Sequence, residues 1–149
     1  METKEDYRQS VLIQCSVQQV FKALTQEIGE WWGPVDQPAI MPGDVFKIDF
    51  GGNSYWKFKI ISADYDHILW ECIASNQDHN VEGIDEEWLG SKLHWRFTQT
   101  KAGVTVTFIH QGLVPHGKCY DVCAPAWDFY VTESLKNFLE QGQGNPNER

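Results

Sequence analysis

The sequence predicts an α+β protein in which a curved antiparallel sheet grips one long C-terminal helix. Three observations carry this. Between Pro125 and Gln141, the residues Trp127, Tyr130, Val131, Ser134, Leu135 and Phe138 recur at the spacing of a single helix face. Upstream, successive runs alternate apolar and polar residues with the period of two that belongs to strands. Short turn signals separate most of these runs, and hairpin-joined strands pair antiparallel. A helix bearing a Trp, a Tyr and a Phe on one face must bury them, and a sheet is the only large partner the sequence offers.

The elements follow in order. Tyr7 to Cys15 alternates as an opening strand. Ser16 then stands at a helix N-cap with Gln19 three residues on, a capping-box pattern. Val17, Val20, Phe21 and Leu24 give the first short helix its stripe. Thr25 stands where it can cap a second short helix carrying Ile28, Trp31 and Trp32, which Gly33-Pro34 ends. Residues 33–43 hold three prolines and two glycines and read as a loop. Five strands come next: Val45–Phe50, Tyr55–Ile61, His67–Ile73, Lys92–Thr98 and Gly103–His110. Their apolar faces carry Phe46/Ile48/Phe50, Trp56/Phe58/Ile60, Ile68/Trp70/Cys72, Leu93/Trp95/Phe97 and Val106/Phe108/His110. The opposite faces carry Lys57, Lys59, His94 and Arg96 and are expected to meet water. Residues 74–90 are polar and acidic and read as a long loop. The Gly/Asn/Pro-rich stretch 142–149 reads as a flexible tail.

A chain of 149 residues is expected to form one domain spanning 1–149, large enough to bury roughly 68–70% of its unfolded surface. The net charge of −9 opposes the phosphate-neutralising surface that nucleic acid needs, and opposes attraction to anionic lipid heads. The four cysteines are scattered and form no CxxC, so they read as reduced thiols. The first ten residues are polar with no apolar segment of a signal peptide, and no apolar run approaches membrane-spanning length. A cytoplasmic location and no membrane insertion are therefore expected. The five histidines and four cysteines show no HxxxH, HExxH or CxxC spacing, and Asp85-Glu86-Glu87 reads as solvated loop, so no metal is expected. No GxGxxG, Walker or GxSxG motif is present, and no cofactor is expected.

Several segments resemble, in order, the START-related, Bet v-type helix-grip superfamily (SRPBCC). Within it they are similar to the activator-of-heat-shock-protein-ATPase homologues. The segments are Val20-Phe21-Lys22-Ala23-Leu24-Thr25 with Trp31-Trp32-Gly33, then Ile68-Leu69-Trp70, then Thr105 to Leu113, then Trp127 with Ser134 to Gly142. The resemblance implies about seven strands wrapped round the C-terminal helix and an apolar cavity between them, with binding of small hydrophobic molecules the commonest role. It names no catalytic set. The long acidic 74–90 loop departs from the family pattern.

The expected cavity lining is Trp56, Phe58, Trp70, Trp95, Phe97, Phe108, His110, Trp127, Tyr130, Ser134 and Phe138, with Trp127 near the mouth. For the tryptophans, core packing and ligand contact are both open readings. His110, the polar residue on an apolar face, is a neutral buried histidine, a polar handle for a ligand, or a catalytic base. Ser134 is a small residue that lets the helix approach, or a hydroxyl facing a ligand. An empty pocket of ~300 Å³ would cost about 7 kcal/mol, comparable to the stability of a whole domain. A large pocket must therefore hold water or ligand, or be filled by its own aromatic side chains. The first function expected is non-enzymatic binding of a small hydrophobic or aromatic molecule. The alternatives are a cyclase or dehydratase acting on a polyketide-like substrate, with His110 as proton-transfer group, and a co-chaperone-like module with a chaperone partner.

Overall fold

The alternating runs become the strands of one sheet, and the order of that sheet explains how the chain encloses its core. The structure is a computed structural model and describes residues 6–49, 54–76, 88–115, 117 and 120–146. The elements are β1 (Tyr7–Ile13), α1 (Val17–Thr25), α2 (Ile28–Trp31), β2 (Val45–Asp49), β3 (Tyr55–Ala63), β4 (His67–Asn76), β5 (Lys92–Thr100), β6 (Gly103–Gln111), α3 (Tyr120–Phe129), a π-helical segment (Tyr130–Leu135) and α4 (Lys136–Gln141). The last three run on as one helix. The strand order is β1-β6-β5-β4-β3-β2, with every pair antiparallel. The two short helices thus carry the chain from one edge of the sheet to the other.

Local chemistry sets the first turns. Ser16 accepts from the Gln19 N–H (3.2 Å), and the Gln19 side chain accepts from the Ser16 N–H (2.8 Å), so the capping box forms as its sequence predicts. Thr25 does not cap α2. It closes α1 and turns its hydroxyl back to the Phe21 carbonyl (2.7 Å), so its side chain is already spent. The Trp31 indole N–H donates to the Ala23 carbonyl (2.8 Å) and pins α2 to α1.

Six strands lie among the described residues, the number the alternation predicts and one fewer than the resemblance implies. Outside β2 there is a single bridge, Val35 to Ile48, with the Asp36 N–H donating to the Lys47 carbonyl (3.1 Å). Pro34 and Pro38 flank it and carry no N–H, so pairing cannot extend into another strand. Curvature enters through β3, where the register shifts at Lys57/Phe58 and again at Ile60/Ser62. At the start of β6, Gly103 takes φ +137°, and a Cβ there would clash with the Ile13 carbonyl. A side chain is excluded where β6 begins beside the end of β1.

The C-terminal helix differs from its prediction in two ways. It begins at Tyr120 rather than Pro125, so Pro125 lies inside α3. Its middle is π-helical, a widened turn holding an extra residue. The Thr132 hydroxyl donates to the Asp128 carbonyl (2.6 Å), competing for the acceptor that an α-helix would offer to the Thr132 N–H. One added residue rotates the rest of the helix by about 100°. Accordingly Trp127, Val131, Ser134 and Leu135 are buried, but α4 buries no residue completely.

Gly142 ends the helix in the left-handed region (φ +83°). Beyond it, the Asn145 N–H donates to the Ser134 hydroxyl (2.7 Å), and Gly144 is buried where a Cβ would lie 2.6 Å from the Glu30 carbonyl. The chain after the helix is thus held at Gly144 and Asn145. Phe50, Asp85-Glu86-Glu87, Cys119 and the end of the tail lie outside the described residues. Cys15 and Cys72 are free thiols, whereas Cys123 is disulfide-bonded, which corrects the expectation of four reduced cysteines. Spacing tests for frameworks and metal knuckles do not register an isolated bridge. No helix among the described residues is long and apolar enough to cross a membrane.

Ser16→Ala should remove the cap at little other cost. We expect a loss of about 1 kcal/mol and a fall of about 3 °C in Tm by calorimetry, with no change in the near-ultraviolet signal of the aromatic core.

Candidate functional site

Among the described residues, aromatic rings crowd the space between sheet and helix. Trp127, on α3, lies at their centre. Its ring centroid is 4.4 Å from Phe108, 4.8 Å from Trp32, 5.9 Å from Trp88 and 6.1 Å from both Trp95 and His110. From there contacts pass through Trp95 to Trp70 (5.3 Å) and Phe58 (5.6 Å), and through Trp88 to Trp56 (4.8 Å). Such tilted and edge-on pairs add stabilisation beyond simple burial.

The predicted lining residues separate into two groups. Trp56, Phe58, Trp70, Trp95, Phe97, Phe108, His110 and Trp127 are buried in one core cluster with the helix above the sheet. Trp127 is 2% exposed and central, not at a mouth. The other three lie along the later part of the helix. Tyr130 and Phe138 are half-buried. Ser134 is buried, with its hydroxyl donating to the Trp31 carbonyl (2.5 Å) and accepting from Asn145. Its partners are backbone groups of α2 and the tail, so it ties three segments together. Sequence reading missed Trp88, because a lone tryptophan after an acidic run reads as loop. It also missed Ser91, for which no periodic signal exists.

His110 carries the chemistry of the interior. An indole N–H can only donate, so the contact from Trp127 Nε1 to His110 Nδ1 (3.2 Å) makes Nδ1 the acceptor. Complete burial disfavours the imidazolium and pushes the His110 pKa down to about 3. The ring is therefore neutral with its proton on Nε2, and Nε2–H donates to Ser91 Oγ (2.9 Å). Both ring nitrogens are occupied. In this arrangement His110 has no lone pair with which to take a proton from Ser91 or from a substrate. The Ser91 hydroxyl keeps its own proton available for donation.

Three buried indoles have no such partner. The N–H groups of Trp70, Trp88 and Trp95 meet no acceptor. Among the described residues the buried polar side chains are Asp6, Thr25, Ser91, His110 and Ser134. Asp6 accepts from the Gly112 N–H (3.0 Å).

Three surface concavities are lined wholly by described residues, with volumes of about 360, 310 and 260 Å³. Of the eleven predicted lining residues, only Phe138 borders one of them. The second concavity has Ser91 in its wall, so the Trp127–His110–Ser91 chain reaches from the core centre to the surface. On the outer face of the sheet His67 and His94 stack at 5.5 Å, with His67 Nε2 3.3 Å from His94 Nδ1. Desolvation, then His94 and Arg96, hold the His67 pKa down. No group of three potential ligands gathers around them or elsewhere among the described residues.

No family model matches the chain, and no curated protein matches it. Solved structures do. The chain is similar to the Aha1 dimer from Colwellia psychrerythraea, at 20% identity and a TM-score of 0.76 over 93% of this chain and 98% of that one. It is also similar to DynU16, a protein of the dynemicin biosynthetic locus, at 18% identity and a TM-score of 0.71 over 99% of this chain and 52% of that one. A third is protein MLL2253 from Mesorhizobium loti, at 21% identity and a TM-score of 0.67 over 84% and 90%. At these identities the likeness shows the fold alone, a curved antiparallel sheet set against a long C-terminal helix.

The His110 assignment has a pH consequence. Its folded pKa lies below the unfolded value of ~6.5, so the unfolded state binds more protons as pH falls through this range. Stability is fully present above pH ~6.5 and is lost toward pH 3. At pH 4.5 the loss from this residue should be about 2–3 kcal/mol relative to pH 7. Urea titrations of the wild type and His110→Phe should differ by that amount in their pH dependence. Nitrogen NMR should show a single Nε2–H tautomer that does not titrate between pH 8 and 4.5.

Proposed function

We propose that this protein binds a small, neutral, largely planar aromatic molecule bearing a hydrogen-bond acceptor, held among the rings between the sheet and the C-terminal helix. The observation that carries the reading is the set of three buried indole N–H groups without acceptors. Each costs ~1–3 kcal/mol if it stays unmade. A ligand that replaced one of these indoles and brought an oxygen to a buried donor would make a hydrogen bond that the indole lacks, while its rings stack on Trp and Phe faces. No Lys or Arg is among the buried side chains described, which disfavours a carboxylate, since it would lose its hydration without compensation.

Neighbours of the same fold support a ligand-binding reading at the level of architecture. The locked tautomer of His110 favours binding over cyclase or dehydratase chemistry, because that chemistry needs a group free to move a proton. The described rings occupy volume that would otherwise be costly to leave empty, and on this reading a ligand enters by displacing one of them.

A thermal-shift comparison of 2-naphthol and flavone with 2-naphthoate tests this. At a free concentration of 100 Kd a binder should stabilise the protein by ~2.7 kcal/mol, a rise of about 5–10 °C in Tm. Naphthoate should give no shift at the same concentration. Absence of a shift with every neutral probe at its solubility limit would defeat the proposal, and so would equal binding of naphthoate.

A further inference from the structure

One member of the ring cluster reaches it from the turn just before β5. Trp56, Trp70 and Trp95 stand on strands, and Trp127 on the long helix. Trp88 stands on a turn just before β5 and is nevertheless 3% exposed. Its ring lies between Trp127 (5.9 Å, 13° between planes) and Trp56 (4.8 Å, 31°), with its edge relation to His110 at 4.5 Å and 89°. This slot has two aromatic walls and a polar end, where His110 and Ser91 meet. Trp31 and Trp127 are fixed by their indole N–H groups, to the Ala23 carbonyl and to His110, whereas Trp70 and Trp95, like Trp88, have no acceptor. The Trp88 N–H has no acceptor, so stacking and burial hold the ring without a directional bond.

The backbone around Trp88 is anchored independently of its side chain. The Ser91 N–H donates to the Trp88 carbonyl (2.8 Å), the Gly90 N–H to the Cys72 carbonyl (2.8 Å) and the Cys72 N–H to the Ser91 carbonyl (2.9 Å). The ring can leave without unpairing the strands. The next three residues, Leu89, Gly90 and Ser91, line the 310 Å³ surface concavity, and Leu89 is 54% exposed.

We infer that Trp88 is an internal stand-in for the ligand: its indole occupies the stacking slot between Trp56 and Trp127, and a planar ligand takes that slot by displacing it. The inference rests on the binding function proposed above and adds the place and class of the ligand. A fused-ring molecule about the width of an indole fits the slot. A carbonyl or hydroxyl oxygen at its polar end accepts from Ser91, whose proton is unused once Oγ accepts from His110. Exchange replaces one stack by another, so it requires no empty cavity at any stage. The ligand gains a hydrogen bond that the indole lacks.

The test uses the full chain labelled with 5-fluorotryptophan. The Trp88 fluorine resonance is identified by its loss in Trp88→Phe. On adding 2-naphthol, that resonance alone should become exposed to a soluble nitroxide, while those of Trp70 and Trp95 stay protected. A Tm rise with 2-naphthol while Trp88 stays protected would overturn the inference and leave the binding function standing. Trp88→Phe, with a smaller plug, should bind 2-naphthol at least about threefold more tightly, because the open state is more populated. Unchanged or weaker affinity would overturn the inference. Trp88→Ala should take up indole itself, with a Tm rise absent from the wild type at the same concentration. A folded Trp88→Ala protein that ignores indole would also overturn it. If no neutral probe binds the wild type, the function above fails, and the indole result with Trp88→Ala decides the slot alone.

Discussion

The hydrogen bond from the Trp127 indole to His110 is the contact on which the interior depends. It joins the long helix to the last strand at the centre of the core. It fixes the orientation of the central ring of the cluster, around which Trp32, Trp88, Trp95 and Phe108 are arranged. It also fixes the proton on His110, because an indole can only donate. The proton then points the chain toward Ser91 and makes a serine hydroxyl the outermost donor of an otherwise apolar core. Without this bond the histidine would be a buried group with a free lone pair, and the chemistry open to the site would be different.

The second constraint is volume. A sheet bent by the irregularities in β3 and a helix widened at its middle do not press flat against each other. The space they enclose must hold something, since an empty apolar void of useful size costs as much as the domain can supply. Here the filling is tryptophan. A large ring fills volume with few rotatable bonds, and its faces offer stacking to any other ring. The same side chains that make the core solid make it receptive to a planar molecule. The three unpaired indole N–H groups show that this filling is not the best solution for polar satisfaction.

Much of the frame was legible along the chain because its rules are local. The Ser16 box needs only residues three apart. The faces Phe46/Ile48, Trp56/Phe58/Ile60, Ile68/Trp70/Cys72, Leu93/Trp95/Phe97 and Val106/Phe108/His110 follow from alternation, and all are buried. The errors arose where a local rule met a competing partner. Thr25 reads as a cap, but its hydroxyl bonds within its own helix. Pro125 reads as a first-turn residue, but α3 accommodates it one turn later. Phe138 fits an α-helical stripe, but the π-helical turn before it rotates the stripe away from the core. Trp88 belongs to no period at all, so no pattern could assign it to the interior.

By itself the sequence determined the class, the strand faces, the partner of the long helix and the singular position of His110. Periodicity and capping encode which side of each element is apolar, and that is enough to choose the layers. Only the tertiary structure decided what those apolar sides enclose. The tautomer of His110 depends on a tryptophan 17 residues away in the chain. The role of Ser134 depends on carbonyl and amide groups of α2 and the tail. The filling of the slot depends on a tryptophan brought in by a turn. Each is a pairing across the fold, fixed by which groups are left without water once the layers close. A residue's spacing along the chain carries no record of that.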